Sequence, residues 1–150
     1  MIIKVKLLKK PVSLKISKAE IVARGSGNIL IVDNEDVLRH MLMKMLENMG
    51  YHVLEAANGE DAIRLYRQRS ESIHLVIMDL SMPKMGGEET FLHLKSINPS
   101  VKVIISSGFL EGEEIQGLIA KGVTGFLSKP YGVKDISSKI HQVLFGGEGR

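Results

Sequence analysis

The chain has 150 residues, 44% of them hydrophobic, a size that allows one sizeable core without requiring a second domain. It has no cysteine, which excludes disulfide scaffolds, thiolate metal sites and cysteine nucleophiles, and no apolar run approaches the roughly 20 residues that span a bilayer. Seven of the 20 Lys and Arg residues lie in residues 1–24 beside one acid, so this segment carries a charge of +6 and the rest of the chain −3. We interpret residues 1–27 as a basic extension or linker and expect a cytoplasmic protein without membrane insertion or direct nucleic-acid binding.

Beyond residue 27, continuous apolar runs alternate with segments in which apolar residues recur at helical spacing. The runs predict strands at 28–32, 51–56, 75–79, 101–106 and 125–128. The periodic segments predict helices at 37–49, 60–69, 88–97, 113–121 and 133–145, with a frayed end at 146–150. Five strand–helix pairs in succession predict a parallel sheet with helices on both faces. The first helix is expected to bury an apolar face made of Val37, Leu38, Met41, Leu42, Met45, Leu46 and Met49.

Polar residues follow four of the predicted strands, and the carboxyl ends of parallel strands meet at one edge of the sheet. These residues are Asp33 with Asn34, Asp79, Ser107 and Lys129. Carboxylate and amide oxygens suit Mg²⁺, while a lysine offers a point charge to phosphate oxygens. The set therefore indicates chemistry on a phosphoryl group. Asp36 is expected to cap the first helix rather than to bind the metal.

Several separated motifs resemble the receiver domains of two-component response regulators over residues 28–145. They are Ile29-Leu30-Ile31-Val32-Asp33, the loop from Asp79 to Gly87, Ser106-Ser107-Gly108 and Lys129-Pro130. The resemblance implies a flavodoxin-like (βα)5 fold, a doubly wound five-stranded parallel sheet in the order 2-1-3-4-5. It also implies that a histidine kinase or histidine phosphotransfer domain phosphorylates Asp79. The isolated domain is then a phosphoacceptor and not an enzyme in its own right.

The resemblance further implies a role for each residue at this edge of the sheet. Asp33, Asn34, Asp79 and the backbone carbonyl of Ser81 would hold Mg²⁺, and a cis Lys129-Pro130 bond would aim the lysine inward. Ser107 and Phe126 would form the switch, and a downstream protein would bind the face of the fourth helix, fifth strand and fifth helix. The basic segment, with Lys10-Pro11 and Gly25-Ser26-Gly27, resembles the junction that precedes the C-terminal receiver of hybrid histidine kinases.

Asn34 departs from the commonest family pattern, in which a second acid stands at this position. A neutral amide removes one charge from the metal site, so we expect a higher Mg²⁺ requirement. This departure motivates one alternative, a pseudo-receiver that acts as an interaction module without phosphorylation. A second alternative is an aspartate-nucleophile phosphatase, although such enzymes expect an acid two residues after the nucleophile and this chain has Ser81 there.

Overall fold

Strands and helices alternate through residues 27–146, the part of the chain that the computed structural model describes. The strands are β1 (Asn28–Val32), β2 (His52–Ala56), β3 (Leu75–Asp79), β4 (Val103–Ser107) and β5 (Gly125–Ser128). The helices are α1 (Asp36–Asn48), α2 (Gly59–Arg69), α3 (Gly87–Ile97), α4 (Gly112–Ala120) and α5 (Val133–His141), and α5 continues into a π-helical turn at Gln142–Gly146. Within these residues no helix is both long enough and apolar enough to cross a bilayer.

The predicted boundaries differ from the observed ones mainly in β4 and α5. Strand β4 begins at Val103 because the amide of Val101 donates to the carbonyl of Asn98, which places Val101 in the turn after α3. The α-helical part of α5 ends at His141, and the wider π-helical turn that follows buries the adjacent residues Val143 and Leu144. The predicted basic extension, except for Gly27, and the predicted frayed end beyond residue 146 lie outside the described residues.

The five strands form one parallel sheet in the order β2-β1-β3-β4-β5, which confirms the predicted 2-1-3-4-5 topology. Strand β3 is buried along its whole length, as its continuous apolar sequence predicts for a strand covered on both faces. Its register pairs Met78 with Val32 of β1 and Asp79 with Ser106 of β4. The strands therefore end at nearly the same level, where the polar residues follow them.

Successive side chains of each strand point to opposite faces of the sheet and fill two separate apolar cores. One core joins alternate strand residues to α2, α3 and α4 through Ala62, Tyr66, Phe91, Leu94 and Leu118. The other core joins the remaining strand residues to α1 and α5 through Leu42, Leu46, Ile136 and Ile140. The sheet is therefore covered on both faces, as the alternation of strands and helices predicts.

Helix α1 buries a narrower face than its sequence predicts. Leu42 and Leu46 are buried, but Val37 is 73% exposed and Met41 is 51% exposed. The third buried residue of the helix is Arg39, which lies on the same face as Leu42 and Leu46 at helical spacing. The prediction that all seven apolar residues of α1 pack in the core is therefore wrong. Of the exposed side chains, Met41 lies beside Lys129 at the edge of the sheet where the strands end.

Candidate functional site

Asp79 is the last residue of β3 and lies at the centre of the polar edge of the sheet. Only 5% of its surface is exposed, so a carboxylate is buried at the end of an otherwise apolar strand. The segment after it is tightly packed, since the amide of Gly87 donates to the carbonyl of Leu80 at 2.9 Å. A Cβ atom at Gly87 would lie 2.6 Å from the carbonyl oxygen of Asp79, so only glycine fits this close approach. The loop thus holds the backbone of Asp79 in one position.

Asp33 follows β1 and is buried beside Asp79, with 5% of its surface exposed. Its amide donates to the carbonyl of Ala56 at 3.1 Å, which extends the pairing of β1 with β2 by one residue. Its Oδ1 accepts a hydrogen bond of 2.8 Å from the amide of Glu35. The neighbouring Asn34 is exposed and stands beside the site without being buried in it.

Lys129 follows β5 and brings a cation to both carboxylates. Its Nζ lies 3.1 Å from Asp79 Oδ1 and 3.6 Å from Asp33 Oδ2. The Lys129-Pro130 peptide bond is cis, as the resemblance implies. The structure therefore brings three of the predicted residues, Asp33, Asp79 and Lys129, into one ion-paired cluster.

The charges of this cluster shift the ionisation of its members. Burial raises the pKa of Asp79 above its ordinary value of 3.8, and the hydrogen bond and charge of Lys129 oppose this rise without cancelling it. Burial lowers the pKa of Lys129, but the hydrogen bond and charge of Asp79 outweigh it, so the pKa lies above its ordinary 10.5. Lys129 therefore stays charged at neutral pH and faces two carboxylates.

The donor atoms at the site fit a hard cation such as Mg²⁺. Asp33 and Asp79 supply carboxylate oxygens, Asn34 an amide oxygen, and Ser81 a backbone carbonyl in the loop after β3. The Oδ1 of Asp33 is engaged by a backbone amide, whereas its Oδ2 has the longer contact with Lys129. No group of three or more His, Asp or Glu side chains gathers at a metal-binding distance within residues 27–146. The candidate ligand set therefore consists of two carboxylates and two neutral oxygen donors.

The two predicted switch residues lie on the neighbouring strands. Ser107 ends β4 and is buried, and its hydroxyl donates to the carbonyl of Phe109 and accepts from the amide of Phe109, both at 3.1 Å. Phe126 is half-buried on β5, beside Ile105 of β4, and packs against the core that contains α2, α3 and α4. The Ser107 hydroxyl is therefore bonded to its own loop.

Two residues near the site carry roles that the sequence patterns did not reveal. Arg39 is buried and contacts the backbone of Asp33. Tyr131 is half-buried beside Lys129, and burial raises its pKa. The prediction that Asp36 caps α1 is wrong, because the cap position is Glu35; Asp36 lies in the first turn, and its carboxylate accepts from Arg39. The sequence does contain one signal for this role, because Arg39 is a charged residue at helical spacing from the buried residues Leu42 and Leu46.

The sequence model of one protein family, the response regulator receiver domain, matches residues 29–141 of this chain. The chain belongs to the response regulator receiver domain family. This receiver domain is 32% identical to the sensor kinase CckA of Brucella abortus over 136 residues, which are 89% of this chain and 14% of that protein. It is 30% identical to the chemotaxis protein CheY of Thermotoga maritima over 116 residues, which are 77% of this chain and 95% of CheY.

The fold of this receiver domain also matches solved structures. It is similar to a chain of the CheX-CheY-BeF3-Mg²⁺ complex from Borrelia burgdorferi, with a TM-score of 0.76, 25% identity, and coverage of 78% of this chain and 88% of that one. These relatives establish the role of the domain as a phosphoacceptor of two-component signalling. No comparison favours the pseudo-receiver or the phosphatase.

Proposed function

We propose that Asp79 is the phosphoacceptor and that a histidine kinase or histidine phosphotransfer domain supplies the phosphoryl group. The observation that carries this proposal is the cluster of Asp79, Asp33 and Lys129, in which one cation faces two buried carboxylates at the edge of the sheet. An oxygen of Asp79 would attack phosphorus in line with the bond from phosphorus to the donor histidine. That bond breaks as the new oxygen–phosphorus bond forms, and the imidazole nitrogen keeps its electron pair.

The attack requires that the charge on both reactants be offset, since a carboxylate and a phosphoryl group repel each other. Lys129 lies close enough to Asp79 to contact an oxygen of a phosphoryl group bound there. Asp33, Asn34, Asp79 and the Ser81 carbonyl would hold Mg²⁺, which offsets negative charge on the phosphoryl oxygens when it is bound. The related complex from Borrelia burgdorferi contains Mg²⁺, which supports this assignment.

The phosphoryl donor must reach Asp79 across the surface that borders the site, and this surface is apolar. Leu38 and Met41 of α1 are exposed and line a groove of about 360 Å³ together with Pro130 and Tyr131. Lys129 forms part of the same groove, so the groove is continuous with the site. A histidine-bearing partner with an apolar face fits this surface, because docking would bury these side chains while its imidazole approaches Asp79.

Ser107 and Phe126 would change conformation in response to phosphorylation. The hydroxyl of Ser107 would leave Phe109 to donate to a phosphoryl oxygen, and Phe126 would move inward into the vacated space. The resulting change would appear on the face of α4, β5 and α5, where a downstream protein binds. Similarity to the sensor kinase CckA, and to the solved receiver domain of the hybrid histidine kinase CckA, supports a place as the receiver of a cytoplasmic hybrid kinase portion.

The proposal is tested by incubating the full chain with Mg²⁺ and phosphoramidate, a small phosphodonor, and measuring intact mass. Wild type should gain one phosphoryl group, and Asp79→Asn should gain none. Uptake by Asp79→Asn at the wild-type stoichiometry would overturn the assignment. Absence of uptake by wild type at every Mg²⁺ concentration would support the pseudo-receiver instead. Sustained hydrolysis of a phosphate ester that Asp79→Asn abolishes would support the phosphatase.

A further inference from the structure

A buried arginine of α1 contacts the backbone of a residue at the site. Arg39 is 9% exposed, and its Nη1 donates to the carbonyl oxygen of Asp33 at 2.7 Å. Its Nε donates to Glu55 at the end of β2, and its Nη2 donates to Asp36 in the first turn of α1, both at 2.8 Å. One guanidinium therefore ties together the loop after β1, the start of α1 and the end of β2.

These contacts leave Asp33 with one side-chain oxygen directed at the site. Its amide is bonded to Ala56, its carbonyl to Arg39, and its Oδ1 to the amide of Glu35. The Oδ2 is the remaining oxygen, and it lies 3.6 Å from the ammonium of Lys129. The carbonyl that Arg39 holds belongs to the peptide unit that joins Asp33 to Asn34. Arg39 therefore fixes the orientation of the backbone on which both residues stand.

We propose that Arg39 is a positioning residue for the cation site, which holds Asp33 and Asn34 in the orientation that binds Mg²⁺. The proposal deepens the proposed function and rests on its assignment of these two residues as metal ligands. A guanidinium suits the task because its donors diverge in one plane and reach three acceptors on three elements at once. An ammonium at the same place has no such fixed fork. Positioning matters more here because Asn34 is neutral and contributes no charge to attract the metal.

Charge and positioning predict opposite effects when Arg39 is removed. Arg39 is a cation close to a cation site, so its charge alone disfavours Mg²⁺, and its loss would tighten binding. If Arg39 holds the ligands in place, its loss weakens binding despite the more favourable charge. Loss of a partner that orients a metal ligand commonly lowers metal affinity by 10-fold or more. The sign of the change in affinity therefore separates the two effects.

The test uses the full chain with Arg39→Gln, Arg39→Lys and, as a matched control, Arg64→Gln. Arg64 pairs with Asp61 three residues earlier on α2, as Arg39 pairs with Asp36 on α1, but it is exposed. Isothermal titration with Mg²⁺ should show affinity lowered about 10-fold in Arg39→Gln, lowered less in Arg39→Lys, and unchanged in Arg64→Gln. At saturating Mg²⁺, phosphoramidate should still phosphorylate Arg39→Gln to the wild-type extent.

A second readout needs no metal. The amide of Glu35 bonds to Asp33 Oδ1, so its hydrogen exchange in EDTA should accelerate in Arg39→Gln and not in Arg64→Gln. Mg²⁺ affinity that is unchanged or tighter in Arg39→Gln, with Glu35 exchange at the wild-type rate, overturns the proposal. If Arg39→Gln unfolds, the same two readouts in Arg39→Lys decide it. Failure of wild type to take up phosphate would instead overturn the proposed function, and the exchange measurement would still test the role of Arg39.

Discussion

The ammonium of Lys129 lies 3.1 Å from a carboxylate oxygen of Asp79, yet the pKa of Asp79 is raised. Burial is the main cause, and the second buried carboxylate, Asp33, adds to it by like-charge repulsion. One cation therefore does not fully compensate two carboxylates held out of water. The residue proposed to accept phosphate is ionised at a cost to the folded state, a conflict between stability and function.

Asp79→Asn should consequently stabilise the domain in the absence of metal. A carboxyl group whose pKa is raised by folding contributes stability below its unfolded value of 3.8, and this contribution is lost as pH rises through the folded value. At pH 7 ionised Asp79 is therefore destabilising, and an amide removes this cost while Lys129 keeps Asp33 as its partner. We expect a gain of about 1 kcal/mol in the free energy of unfolding, the usual size for such substitutions.

Urea denaturation in EDTA at pH 7 and near pH 4 measures this difference. The gain should shrink at the lower pH, because wild-type Asp79 is then increasingly protonated. A variant that is less stable than wild type at pH 7 would show that the ion pair with Lys129 outweighs burial.

Asn34→Asp should raise Mg²⁺ affinity. The substitution adds a carboxylate beside Asp33 at an exposed position, where one added charge is worth about 1 kcal/mol at contact distance, or roughly fivefold in affinity. The same charge adds to the repulsion among the carboxylates, so the metal-free protein should unfold at a lower urea concentration. Isothermal titration with Mg²⁺ measures the affinity.

Asn48→Asp is the matched control for this variant, since it adds the same charge at the opposite end of α1. It should leave Mg²⁺ affinity unchanged, because solvent screens a charge so far from the site. Equal Mg²⁺ affinity in wild type and Asn34→Asp would remove residue 34 from the ligand set.

The sequence predicts the strand ends well because parallel pairing fixes their relative level. Asp79 pairs with Ser106, and Val32 pairs with Met78, so residues that follow apolar runs at these points must share one edge. The register, continued to β5, therefore places Asp33, Asp79 and Lys129 at one edge, whereas the contacts between their side chains do not follow from it. The roles of these residues come from the family resemblance, since many chemistries use the same edge.

The environment of α1 could not be predicted in the same way. Helical spacing shows which residues share a face but not how much of an apolar stripe the sheet covers. Arg39 occupies a core position because Asp36, Glu55 and the Asp33 carbonyl satisfy its guanidinium together, and Glu55 lies on another strand. Val37 and Met41 remain exposed because helical spacing places them on the side of α1 away from the buried stripe.

Gly87→Ala should destabilise the domain and distort the loop after Asp79. A Cβ atom there would meet the Asp79 carbonyl oxygen at 2.6 Å and the Leu80 Cα at 2.8 Å, and both are backbone atoms that cannot rotate away. We expect a loss of about 2–4 kcal/mol in the free energy of unfolding, together with slower phosphorylation. Thermal unfolding and uptake from phosphoramidate measure the two effects.

Gly86→Ala tests whether the effect is specific to close packing at position 87. A Cβ atom at Gly86 meets only the Leu80 carbonyl oxygen at 3.6 Å, an ordinary contact, and the φ angle of −74° suits alanine. Stability and phosphorylation should therefore stay near wild type. Equal losses in the two variants would show that the loop needs glycine for another reason.

Ser107→Ala should separate phosphorylation from the response of the loop after β4. The hydroxyl makes both of its observed hydrogen bonds to the backbone of Phe109, and Phe109 is itself exposed. Without the hydroxyl, the Phe109 amide loses a bond worth about 1 kcal/mol, so its hydrogen exchange should accelerate roughly fivefold before phosphorylation. The variant should still take up one phosphoryl group, because the proposed attacking residue is Asp79.

Nuclear magnetic resonance of the Phe109 amide, recorded before and after addition of phosphoramidate, measures the response. Under the proposed switch, the wild-type hydroxyl leaves Phe109 for the phosphoryl group, so the amide signal should move. Ser107→Thr keeps the hydroxyl and should retain this movement, whereas Ser107→Ala should show little of it at equal phosphoryl content. A wild-type displacement of the Phe109 signal in Ser107→Ala would mean that the loop responds to phosphorylation without this hydroxyl.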